Sequence, residues 1–154
     1  DYRTCDSLTQ RKAHTYKRNS GSVGLSLCCG LDASWNATLP SFGTTPPTAK
    51  QLQSMAWIVA IICSALSLPI NSDTVMTHGE AAYRDGYGPG SGDPETRWDL
   101  FWVRDELGQF HQGGVFLREL ARQFSTRLVP TKRSSAPQNT STQEAPLQVP
   151  LFME

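Results

Sequence analysis

His78 is the residue of this sequence around which chemistry can be built. It ends the run Asp73-Thr74-Val75-Met76-Thr77-His78, read as a short strand, and is followed by Glu80. Beyond lies a glycine- and proline-rich stretch carrying the carboxylates Asp85, Asp93, Glu95 and Asp99. An imidazole and a carboxylate beside an irregular loop form a reasonable hydrolytic zinc pair, because catalytic zinc takes three protein ligands and keeps one position for water. Spacing alone does not choose among the carboxylates. Glu80 is a candidate general base, but strand side chains alternate between faces, so it shares the His78 side only if the strand continues. A partner that orients a ligand is an equal reading of Glu80. His111 matches no motif and is read as a surface residue.

Several elements must position these groups. Val23, Leu25 and Leu27 alternate with small or polar residues, the period of a strand with one face on a core. After a loop ending in Pro46-Pro47, Thr48 and Gln51 form the sequence signature of a helical capping box. Leu52, Met55, Ala56, Val59, Ile62, Cys63 and Leu66 follow at helical spacing until Pro69. The run from Met55 to Leu66 is apolar almost all round, yet shorter than the roughly 20 residues that span a bilayer. A helix buried against a sheet is expected, and no membrane span. Asp85 to Pro94 reads as an irregular loop, and Trp98, Leu100, Phe101 and Trp102 as a return to the core. Gly114–Ser125 reads as an amphipathic helix with Val115, Leu117, Leu120, Ala121 and Phe124 inward.

The chain has 14 basic and 14 acidic residues. That balance argues against a nucleic-acid binder, which needs a basic surplus to release counterions. Cys5, Cys28, Cys29 and Cys63 contain no C-x-x-C pair and suggest reduced thiols rather than a disulfide framework. Residues 130–154 are expected as a Ser, Thr and Pro-rich disordered tail or linker beside a domain over residues 1–129, with the apolar stretch Leu147 to Met153 able to dock back as an arm.

Three segments resemble the type-2 N-acetylmuramoyl-L-alanine amidases and their relatives, the peptidoglycan-recognition proteins. Ala13-His14-Thr15, with Asn19 and Ser22-Val23-Gly24-Leu25, is similar to the family's "A-H-T…N-x-x-S-I-G-I" strand entry. Pro47-Thr48-Ala49-Lys50-Gln51 matches its "P-T-x-x-Q" helix start. Val75-Met76-Thr77-His78-Gly79-Glu80 is similar to its "v-x-t-H-x-E" ligand strand. The three occur in the family's order over about Ala13 to Leu100, and that order is more specific than any one of them.

The resemblance implies an α/β fold, a mixed central β-sheet flanked by helices, and Zn2+ as cofactor. It makes His78 one zinc ligand. It makes Asp99 another, with Arg97-Trp98-Asp99 reproducing the family's basic-x-ligand pattern and Asp93 as the alternative. Arg97 would steady the developing oxyanion, against the plainer reading of a surface arginine paired with Glu95. His14 and Asn19 are implied at the substrate groove, either touching the peptide stem or shaping the turn. The family's first ligand, a histidine, lies upstream of the A-H-T segment. Only twelve residues precede Ala13, and none is histidine, so an N-terminally incomplete domain is expected. The implied activity is hydrolysis of the amide between N-acetylmuramic acid and L-alanine in peptidoglycan. The alternatives are a non-catalytic peptidoglycan-binding module or a structural fragment. Phage or bacterial origin, a monomer, synthesis in the bacterial cytoplasm and action at the periplasm or cell wall complete the expectation.

Overall fold

The computed structural model describes residues 15–35, 40–88, 91, 99–128 and 151–153. Its longest element is helix α1, Ala49–Ala65. Thr48 caps it as the sequence predicts: its hydroxyl accepts the Gln51 amide and the Gln51 side chain accepts the Thr48 amide. Two of the four amides left open at a helix start are thereby satisfied. Leu52, Met55, Ala56, Val59, Ala60 and Cys63 form the buried stripe. Leu66, expected inward, is exposed, as are Trp57, Ile58 and Ile61 on the opposite side. Among the described residues no helix is long and apolar enough to cross a membrane.

The chain is α/β. Strands β1 (Val23–Leu25) and β4 (Val75–Thr77) both pair in parallel with β7 (Leu151–Met153), giving the order β1-β7-β4. The sheet was expected to be mixed. Among the described residues its pairings are all parallel, and antiparallel pairing is confined to β2 (Ser34–Trp35) with β3 (Pro40–Ser41) and β5 (Trp102–Arg104) with β6 (Phe110–Gln112). Residues 129–150, the body of the expected tail, lie outside the described residues. The division at residue 130 is corrected at the chain's end: Leu151–Met153 form the middle strand of the sheet, and Met153 is fully buried. The apolar arm read at Leu147 to Met153 accounts for that placement.

Helix α3 (Gly113–Ser125) packs on α1, and both pack with Val75, Val103 and Met153 in one core. Leu117 and Ala121 face inward as expected, with Leu120 and Phe124 partly buried against the same cluster. Val115 does not; it is 55% exposed. The buried stripe runs through Gly113, Gly114, Leu117, Arg118 and Ala121, so an arginine takes a core-facing place that the apolar pattern gave to valine.

Candidate functional site

The strand carrying His78 does not continue past it. Thr77 ends β4 and caps a second helix, α2 (His78–Asp85), through another capping box. The Thr77 hydroxyl accepts the Glu80 amide at 3.1 Å, and Glu80 Oε2 accepts the Thr77 amide at 3.0 Å. The sequence reading of Asp85 to Pro94 as a loop does not anticipate this helix, whose last residue is Asp85. Thr77-x-x-Glu80 before two alanines, with Gly86 supplying a left-handed C-cap (φ 79°), is the signal that could have found it. The sharp strand-to-helix change sets the direction of the His78 ring as first residue of the helix.

Asp99 is brought to that ring by backbone contacts. The Gly79 amide donates to the Asp99 carbonyl at 3.0 Å, and the Gly113 amide to the Phe101 carbonyl at 2.9 Å. Leu100 between them turns the chain at φ 52°. Asp99 Oδ2 then lies 3.2 Å from His78 Nδ1, with the imidazole 8% and the carboxylate 45% exposed. The distance suits a histidine–carboxylate pair. It is also close to the roughly 3.4 Å that separates two ligands of a tetrahedral zinc with bonds of about 2.1 Å. One imidazole nitrogen and one carboxylate oxygen, one side buried and the other open to solvent, are fitting donors for a catalytic zinc. Among the described residues no group of three His, Cys, Asp or Glu side chains could hold a metal ion.

The buried side of the site is aromatic. The Tyr87 ring is fully buried and meets His78 at 6.5 Å and Tyr16 at 5.2 Å, both edge to face. Its hydroxyl donates to the Tyr16 carbonyl at 3.1 Å. Lys17 Nζ stands 5.0 Å from the Tyr16 ring centre and 5.7 Å from that of Tyr87. Arg18 and Asp85 form a two-bond ion pair that ties the residue 15–19 turn to the end of α2. Asn19 closes that turn: its side chain accepts the Thr15 amide at 2.8 Å.

Glu80 is placed elsewhere. Its carboxylate accepts both Arg118 guanidinium nitrogens, at 2.7 and 2.8 Å, in addition to the Thr77 amide. The strand continuation that would have put Glu80 on the His78 side is absent, because α2 begins at His78. Arg118 was missed because periodicity reads an arginine as solvent-facing. His111 is partly buried, paired with Asp105 at 2.8 Å and set against Phe116. His14, Asp93 and Arg97 lie outside the described residues.

No protein-family model, curated protein or solved structure matches the chain. The chemistry of the site therefore rests on its own residues.

The bonds from Arg18 hold the Asp85 carboxyl below the usual carboxylate range, working against desolvation by burial. A depressed folded pKa stabilises the fold above the unfolded value of about 4 and ceases to do so as pH falls through the folded value. Asp85→Asn should accordingly cost about 1–2 kcal/mol at neutral pH. In urea melts the difference from the wild type should shrink progressively below about pH 4. A difference independent of pH would contradict the ion-pair assignment.

Proposed function

We propose that this chain carries the metal site of a zinc-dependent peptidoglycan amidase, acting on the bond between the lactoyl group of N-acetylmuramic acid and L-alanine. The observation that carries the reading is the approach of Asp99 to His78 Nδ1. Two residues far apart in sequence, each implied as a ligand by the family resemblance, meet at ligand spacing where strand and helix join.

His78 and Asp99 would hold the metal, with a third ligand from outside the described residues. A zinc ion held there would supply an activated water and a Lewis acid for the carbonyl. The protein's own groups orient and bind. The fully buried Tyr87 ring packs against the His78 ring and would close that side of the site to water. Asp99 faces the open side, where substrate enters. Arg97, two residues before Asp99, is proposed to offer guanidinium donors to the developing oxyanion; an arginine stays charged and does not act as proton donor. Lys17 adds positive charge on the aromatic rim, suited to an anionic peptide stem.

Zinc-loaded protein incubated with purified muropeptides should release stem peptides with a free L-alanine amino group, read by mass spectrometry, and a chelator should suppress the release. Muropeptides bound but left uncleaved, with no dependence on zinc, would overturn catalysis in favour of a binding module. Protein that neither binds nor cleaves them would overturn both.

A further inference from the structure

The arginine buried on α3 does more than fill space. Arg118 Nη1 donates to the Val75 carbonyl at 3.0 Å and to Glu80 Oε2 at 2.7 Å, while Nη2 donates to Glu80 Oε1 at 2.8 Å. Val75 begins β4, and Glu80 is the third residue of α2. One guanidinium thus grips the chain on both sides of His78. We propose that Arg118 is a positioning residue for His78, acting through the Glu80 carboxylate and the Val75 carbonyl; the proposal rests on the reading of His78 as a metal ligand.

Two further observations support it. Gly114 leaves the space in which the Glu80 carboxylate sits: a Cβ there would come within 2.0–2.2 Å of Oε1, Oε2 and Cδ of Glu80. The first turn of α3 therefore accepts the carboxylate only because it is bare, and the positive end of that helix favours the charge. The energetics also point to geometry. An ion pair drawn out of water, as this partly buried one is, is often no more stabilising than packed apolar side chains of the same volume. What the pair supplies that leucine or methionine would lack is direction, since a two-bond guanidinium–carboxylate contact fixes distance and orientation together. The joint between β4 and α2 is thereby held in one shape, and the imidazole it carries points at Asp99.

The test uses the full chain with Arg118→Met and Arg118→Lys, and Arg122→Met as control. Arg122 is another α3 guanidinium, bonded to the Ile70 carbonyl at 3.1 Å rather than to Glu80. Two readouts are taken: zinc affinity by chelator competition, and the His78 ring signals of the metal-free protein by NMR. Arg118→Met is expected to lower zinc affinity about 10–100-fold, as loss of a group that orients a ligand does. It should also shift or split the His78 ring signals. Arg118→Lys, which keeps the charge but not the fork, should fall between, and Arg122→Met should match the wild type. If Arg118→Met only lowers the melting temperature and leaves ring signals and zinc affinity unchanged, Arg118 is structural and the proposal falls. Should Arg118→Met fail to fold, Arg118→Lys decides by the same two readouts. Wild-type protein that takes up no zinc would overturn the metal reading alone, and the ring signals then decide the positioning role.

Discussion

His78→Ala is expected to abolish zinc uptake and reduce hydrolysis to background. Its imidazole is one of the two described donors at the site, and the other, Asp99, is half exposed and cannot hold the ion alone. Losing one ligand of three should weaken binding by 100-fold or more, well beyond the roughly 10–100-fold seen when only a ligand's supporting partner is removed. Asp99→Ala should behave alike. The fold should survive both changes, because the aromatic wall retains the Tyr16–Tyr87 contact and the Tyr87 hydroxyl bond to the turn. His111→Ala is the matched control: its ring pairs with Asp105 on the β5–β6 hairpin and should leave zinc uptake and hydrolysis unchanged. Equal losses from His78→Ala and His111→Ala in zinc titrations would point to general destabilisation rather than to a ligand.

Gly113→Ala should damage stability and site together. The added Cβ would fall 1.8 Å from the Leu100 carbonyl oxygen and 2.8 Å from its carbon, and backbone cannot swing aside as a side chain can. Relief requires the 99–101 segment to move. That movement breaks the Gly113–Phe101 bond and disturbs the Gly79–Asp99 bond that carries Asp99 to His78. Overpacking costs about 1–3 kcal/mol and a disrupted buried hydrogen bond a similar amount. A loss of roughly 3–4 kcal/mol is expected, or a melting temperature about 10 °C lower. Zinc affinity should fall in parallel, which distinguishes this change from an equally destabilising one in α1 such as Val59→Ala, where affinity per folded molecule should hold. Calorimetry with chelator competition on both variants checks the pair.

How much of this was legible in the sequence depended on whether the signal was local. Thr48 and Gln51 disclosed the start of α1 because a capping box is written within four residues. The same pattern at Thr77 and Glu80 is masked, since it straddles the end of a β-branched strand and is followed by a glycine-rich stretch with the composition of a loop. His78 and Asp99 were named as partners through the family resemblance; their contact depends on a turn at Leu100 and on backbone bonds to Gly79 and Gly113, which no spacing rule expresses. Arg118 stayed hidden for an electrostatic reason. Charge predicts exposure unless a partner meets it away from solvent, and that partner, the partly buried Glu80, lies 38 positions away. Strand β7 was hidden by topology: a three-residue segment at the chain's end signals little by itself, and its place between β1 and β4 is set by the two strands it joins.

The most direct measurement is zinc-edge X-ray absorption on protein loaded with one equivalent of zinc, compared with Asp99→Ala and His78→Ala. A first shell of nitrogen and oxygen at about 2.0–2.1 Å, with an imidazole scattering pattern that His78→Ala removes, is the expected result. The protein also carries free thiols at Cys28, Cys29 and Cys63. A first shell dominated by sulfur at about 2.3 Å, unchanged by either substitution, would place the metal on the cysteines and contradict the His78–Asp99 site.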